Sequence, residues 1–236
     1  MPSREPRLPL WLKVAYTAFV VVLVPIYWVN YGPANFLYFC DLALLLTLAA
    51  IWLESPLLAS MPAVGILAPQ ALWVADLFAN MLGHPIVGMT DYMFDKSLPM
   101  HLRALSLFHG WLPFLLLFLV WRLGYDARAF RYWTVVALGV LLVCYFFMPP
   151  PNPNAGAAAV NINYVYGLND KAAQTWMPGW AWLLLLMAAL PSLLFAPVHY
   201  ALRRWMSEPH DAAIAAACSP AASIDASAMP RSKLNA

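Results

Sequence analysis

Long apolar runs separated by short polar breaks organise this chain. Six of them occupy residues 12–29, 36–53, 56–77, 98–121, 133–148 and 177–200. A membrane-crossing helix needs about 20 mainly apolar residues. Five runs meet that length directly, and 133–148 reaches it by borrowing the flanking aromatics Phe130 and Tyr132. None shows the strict alternation of barrel strands. In hydrocarbon only helices or closed barrels satisfy their own backbone. The pattern therefore predicts an all-α, polytopic membrane protein built as one six-transmembrane-helix bundle over residues 12–205. A short N-terminal stretch, 1–11, precedes it, and a tail at 206–236, rich in Ala, Ser and Pro, is expected to be disordered.

Composition strengthens this reading. Hydrophobic residues make up 63% and charged residues 10% of 236 positions, with a mean hydropathy of +0.68. A water-soluble domain of that size could not hide so much apolar surface. The first run is longer than a signal-peptide core of about 7–15 residues and lacks a small-residue cleavage pattern, so it is read as a retained helix.

Charge sets the expected orientation. With the N-terminus inside, the inner segments carry Arg4, Arg7, Lys13, Arg122, Arg128, Arg131, Arg203, Arg204, Arg231 and Lys233, ten in all. The outer segments carry three: Lys96, Arg103 and Lys171. Leaving out the two in the tail still gives eight against three. Basic residues favour the cytoplasmic side, so both termini are expected there, in a bacterial inner membrane. Cys40, Cys144 and Cys218 form neither a disulfide framework nor a zinc spacing. No phosphate-binding glycine loop or basic nucleic-acid stripe is present, and no metal or cofactor is expected. Asp91, Asp95 and His101 match no metal template, and read as a solvated acidic loop. Membrane lipids are the expected partners.

Candidate chemistry lies in the polar groups inside the runs, because each costs free energy in hydrocarbon. From the outer boundary, Cys40 and Asp41 fall about 8 Å deep, His101 about 5 Å and His109 about 16 Å. Ser106 and His109 are i,i+3 neighbours on one helix face. Asp76 and Arg103 lie near the outer ends of their runs. A cysteine beside a histidine can act as a nucleophile on an acyl carbonyl, with Cys40 as nucleophile and His109, or else His101, as base. Asn161 and Asn163, from the long 149–178 connection, would offer amide donors to an oxyanion. The blander alternatives are a small buried Cys40, a His109 bonding a neighbouring helix, a Ser106 bonded back to its own helix, and Asp41 and Asp76 paired with Arg103 or a histidine.

These residues carry a resemblance. Leu37-Tyr38-Phe39-Cys40-Asp41, then Phe108-His109-Gly110, then Asn161-Ile162-Asn163-Tyr164-Val165-Tyr166 follow one another in an order that resembles the bacterial YwaF-like integral membrane proteins. That family resembles eukaryotic transmembrane acyltransferases of ether-lipid remodelling. It is more distantly similar to androgen-induced hydrolases of fatty-acid esters of hydroxy fatty acids. The resemblance spans about residues 12–205. It implies a lipid acyltransferase or lipid ester hydrolase in which Cys40 matches the nucleophile and His109 the histidine, while Asn163, Tyr164 and Tyr166 match an asparagine–tyrosine segment. The family pattern has a histidine two residues before the cysteine, where this chain has Tyr38. A reading from another class is a non-enzymatic membrane protein, a small transporter or a complex scaffold. A transporter should carry polar groups through to the cytoplasmic half, where the runs have almost none.

Overall fold

The computed structural model describes residues 7–156 and 158–206, so the expectation of a disordered tail falls outside the described residues. Eight helices form six passes: α1 (Leu10–Tyr31), α2 (Phe39–Leu53), α3 (Pro56–Met81), α4 (Met100–Ser106) with α5 (Phe108–Leu123), α6 (Ala129–Phe147), and α7 (Gly179–Ala189) with α8 (Ala196–Met206). Five passes are long and apolar enough to cross a membrane. The chain is a polytopic all-α bundle, as its apolar pattern predicted.

The sixth pass corrects the sequence reading. The run expected to be short, 133–148, extends back to Ala129 and reaches 19 residues. The short helix is α2, with 15 residues, about 22 Å long against a hydrocarbon core of about 30 Å. A 3-10 turn at Pro33–Leu37 takes up the start of its apolar run. The α2 N-terminus therefore begins below the loop end of the bundle, which is the end opposite Leu10 and Met206.

α3 is the hub, packed most extensively against α5 and α2 and next against α6. From Ala59 to Ile66 every residue of α3 is buried. Small residues let helices approach closely where lipid offers no hydrophobic drive. Gly65 is the clearest case: the Trp133 indole of α6 lies flat in the space a side chain would take. Ser55 opens α3 by accepting the Leu58 N–H, and Pro56 occupies the first helical position.

Two passes are broken for identifiable reasons. Between α4 and α5 the Gly110 N–H bonds to Leu107 O at 2.9 Å, three residues back rather than four. The Ser106 carbonyl thus released is taken by the His109 ring, a side chain inserted into the helix ladder. Between α7 and α8 the turns at Leu190–Phe195 widen, and the Ala196 N–H bonds to Pro191 O, five residues back. Pro191 supplies no N–H to the regular ladder.

At the terminal end, Glu54 fastens α1 to the α2–α3 turn. It accepts from Lys13 Nζ (2.8 Å) and from the backbone N–H groups of Arg7 (2.8 Å) and Leu8 (3.2 Å). Burial opposes its ionisation, but these three donors outweigh it and hold its carboxyl below the usual range.

Candidate functional site

The 149–178 connection covers the start of α2. Val160, Asn161, Ile162, Asn163 and Val165 are all buried in it. Asn161, Asn163 and Tyr164 adopt left-handed backbone, with φ of 47°, 56° and 61°. Asparagine tolerates that region, whereas a tyrosine there is unusual and costs energy. Tyr164 is held by its own N–H on Asn161 O (2.8 Å) and by Trp182 Nε1 donating to its carbonyl (2.8 Å).

These contacts revise the expectation for the asparagines. Asn163 Oδ1 accepts the Phe39 N–H at 3.1 Å and its Nδ2 donates to Leu37 O at 2.9 Å. Asn163 is thus a cap for α2 supplied from 124 residues away in sequence, not a free amide waiting for an oxyanion. Asn161 Nδ2 is spent on Gly167 O (2.8 Å), Asn169 O and Asp170 Oδ1. Tyr38 donates to Val160 O at 3.1 Å, and Tyr166 donates to Tyr145 O. The asparagine–tyrosine segment locks the loop to the helix entry.

Beneath this cover, Cys40 and Asp41 occupy the first turn of α2. The thiol donates to Asp41 Oδ2 at 3.9 Å. First-turn N–H groups have no intrahelical acceptor, and they present the positive end of the helix. Asp41 is 3% exposed. Its Oδ2 also accepts from Asn35 Nδ2 at 3.0 Å, while Oδ1 has no protein partner. The charged partner expected for Asp41 is therefore an amide and a thiol.

Ser106 and His109 reach the same region from α4 and α5. Ser106 Oγ donates back to Leu102 O (3.1 Å), the self-helix bond expected of a membrane serine, so Tyr27 is the donor in their 2.9 Å pair. His109 Nδ1 lies 2.8 Å from the Ser106 carbonyl. A carbonyl only accepts, so Nδ1 bears the proton and the neutral ring presents Nε2 as an acceptor. The imidazole stacks on Trp73 of α3, with centroids 5.1 Å apart at 23°. Among the described residues no hydrogen bond joins Cys40 to His109. Asp41 is the base to which the sulfur bonds.

The remaining candidates sit around the rim. Asp76 is fully buried, and its carboxylate takes five hydrogen bonds from the following loop. Oδ1 accepts from the N–H groups of Ile86, Val87 and Gly88; Oδ2 accepts from the N–H and Oγ1 of Thr90. Asp76 therefore pairs with neither Arg103 nor a histidine. Arg103 donates Nη1 to Met93 O at 3.2 Å, and His101 is exposed on α4. Among the described residues no three His, Cys, Asp or Glu side chains come together as metal ligands do.

Tyr92 is a site residue that the sequence pattern did not single out. It sits, half-buried, in the loop turn Asp91–Met93. Burial raises its hydroxyl pKa. No spacing marks such a residue, because a loop tyrosine ordinarily reads as interfacial.

Comparison of the chain with family models, with curated proteins and with solved structures found no match.

Proposed function

We propose that this multi-pass protein lies in a bacterial cytoplasmic membrane with both termini inside, and that it handles acyl groups of membrane lipids through Cys40. The resemblance to YwaF-like proteins and, through them, to lipid acyltransferases is part of the same proposal. The observation that carries it is the placing of Cys40. Its thiol stands at the N-terminus of a helix that begins inside the bundle, beside a buried carboxylate and in the same loop-end region as a histidine with a free acceptor nitrogen. The first-turn N–H groups of α2 that Asn163 and the Tyr38 carbonyl do not take suit a developing oxyanion.

In the first step the sulfur of Cys40 bonds to the ester carbonyl carbon and the bond from that carbon to the alcohol oxygen breaks. The thiol proton leaves through Asp41 and ends on the departing alcohol. In the second step a hydroxyl oxygen attacks the thioester, His109 Nε2 accepts its proton, and the proton returns to the sulfur as the C–S bond breaks. The two steps are divided between two bases because the sulfur bonds Asp41 and, among the described residues, no hydrogen bond joins it to His109.

The transporter reading has its best footing in a second polar pair at the terminal end, where Tyr125 and His199 Nδ1 lie 2.6 Å apart. Between the two ends Leu44, Ile51, Ile66, Leu112 and Leu116 are fully covered, and the buried polar side chains among them are Thr47, bonded back to Ala43 O, and Gln70. Two separated polar side chains make no continuous path, which favours chemistry at one end over passage between them.

The test is profiling of purified protein with a lipid-chain thiol-reactive acyl probe, read by site-resolved mass spectrometry. Wild type should load at Cys40, and Cys40→Ala should lose that signal while keeping its melting profile. Equal loading of both proteins would remove Cys40 as the nucleophile.

A further inference from the structure

Above Ile66 the buried residues of α3 are Gln70, Trp73 and Asp76. Their i,i+3 spacing puts them on one face of the helix, and each carries polar atoms. Such a stripe is costly in hydrocarbon. Asp76 is answered by the loop that closes over it. The other two are not answered within the protein. Gln70 is 4% exposed and Trp73 5%, and Gln70 Oε1 and Trp73 Nε1 find no partner among the described residues. Buried polar atoms are nearly always paired, and an orphan marks a water, an ion or a ligand.

The stripe descends from the loop end to the level of Cys40. The short turn Glu54–Ser55 makes α2 and α3 antiparallel neighbours. At about 1.5 Å per residue, Cys40 and Gln70 each stand about 20 Å above that turn. Contacts agree with this register: the Trp133 indole lies against Gly65 of α3 and 6.1 Å from the Phe39 ring. One turn above Gln70, Trp73 stacks on the His109 imidazole of α5, which carries the free acceptor Nε2. There is room beside the indole. A β-carbon added at Gly110 would meet the Trp73 ring at 3.9 Å and nothing nearer. His109 and Gly110 are half-buried, so this edge of the gap reaches the surface.

The unpaired atoms select a ligand by their chemistry. Trp73 Nε1 only donates, whereas Gln70 Oε1 and His109 Nε2 accept. A phosphate oxygen would satisfy the indole but not the two acceptors. An ammonium would satisfy the acceptors but not the indole. A hydroxyl donates and accepts at once. We infer that Gln70 and Trp73 form the head-group site for the acyl acceptor, a lipid with two neighbouring hydroxyls as in a glycerol head. One hydroxyl stands between Trp73 Nε1 and Gln70 Oε1, and the other donates to His109 Nε2. This rests on the acyl reading of Cys40 for the transfer, but not for the binding. In the transfer the oxygen at His109 bonds to the thioester carbon, the C–S bond breaks, and the hydroxyl proton passes through His109 to the sulfur. The products are a lipid ester and the free thiol. Gln70 thereby sets which alcohol is used, because a lipid with a single hydroxyl leaves one of these buried atoms unpaired.

Two measurements on the full chain in nanodiscs separate this from the acyl reading. The first is binding, and it needs no catalysis. The indole N–H resonance of Trp73, assigned by its loss in Trp73→Phe, is followed by NMR in isotope-labelled protein. A monoalkylglycerol ether, the alcohol of equal chain length and the matching alkyl phosphate are added in turn. The alkylglycerol should shift that resonance and bind about tenfold more tightly than the alcohol, the worth of one further buried hydrogen bond. Gln70→Met should erase the preference. It should melt no lower than wild type, because it removes an acceptor that is unpaired in the free protein. Gly110→Leu fills the gap beside the indole and leaves every polar group in place. It should abolish the shift, and it carries the test if Gln70→Met does not fold. No shift, equal binding of the alkylglycerol and the alcohol, or tightest binding of the phosphate would overturn the site. The second measurement follows transfer from a chain-labelled phospholipid to the alkylglycerol and the alcohol in competition. Wild type should favour the alkylglycerol by about tenfold, and Gln70→Met should lose that preference. An acyl group on Cys40 with no such preference would keep the acyl reading and overturn the inference. Binding as expected, with no acyl group ever found on Cys40, would keep the site and refute the acyl reading.

Discussion

Gly65→Ala is the sharpest test of the packing that holds the site. A β-carbon there would lie 1.9 Å from Trp133 Cε2, 2.2 Å from Nε1 and 2.3 Å from Cζ2. Ordinary carbon–carbon contact begins near 3.5 Å, so the indole would have to retreat by about 1.6 Å. It has nowhere to go. Trp133 is fully buried, with the Phe39 ring at 6.1 Å and the Phe195 ring at 6.4 Å. A rigid ring cannot swing aside as a flexible chain end would. One methylene forced into a packed core costs about 1–3 kcal/mol, and the upper end applies here. For a chain of this size that corresponds to a fall in Tm of roughly 2–12 °C. Because Phe39 is the residue before Cys40, displacement of the indole should also disturb the first turn of α2. The assay is thermal unfolding in detergent followed by tryptophan fluorescence. The control is Gly139→Ala on the outer face of α6, where a β-carbon meets nothing within 4 Å. It should be neutral, or stabilising by about 0.5–1 kcal/mol. Gly65→Ala combined with Trp133→Leu should show a favourable coupling of about 1 kcal/mol relative to the two single changes. If Gly65→Ala melts with the control, α3 and α6 do not meet at this point and the packing argument fails.

Other outcomes follow from single residues. Asn163→Ala removes the cap on α2 and places alanine at φ 56°, and should cost about 2 kcal/mol or more, read as a loss of Tm. Asp76→Asn leaves at least one of five loop donors without a good acceptor, and should raise the rate of proteolysis within residues 83–95 while the rest of the chain stays resistant. His109→Gln should slow acyl turnover by about 10²–10⁴-fold if Nε2 is the base of the second step; full rate in the variant would move that role to another group. Glu54 has its folded pKa held below the ordinary carboxylate value, so its contribution to stability is present above about pH 4.3 and is lost as pH falls through the folded pKa. Wild type should therefore out-melt Glu54→Gln near neutrality, and the gap should close in acid. A gap that widened in acid would show that the sign is wrong.

Much of the architecture was legible in the chain. Uninterrupted apolar length forces helices in hydrocarbon, because the backbone has no other partner there, so the number of passes follows from the runs alone. The convergence of Cys40, Asp41, Ser106 and His109 on one end was legible for the same reason: alternate passes reverse direction, and depth follows from position along each run. The asparagine–tyrosine segment was visible as a motif, but its work as a distant cap for α2 was not.

What only the tertiary structure decided is how those polar groups are paired. Hydropathy reads depth along a helix but carries no information about rotation or about which loop folds back over it. The α2 N-terminus lies inside the bundle because Asn163 satisfies it from another part of the chain, a partner no local pattern encodes. His109 turns Nε2 outward because the ladder opens at Leu107 and gives up the Ser106 carbonyl. Asp76 was expected beside a cation or a histidine, yet a ring of loop N–H groups and the Thr90 hydroxyl satisfies it. In each case burial alone demands a partner for the polar group, and the three-dimensional contact chose which one.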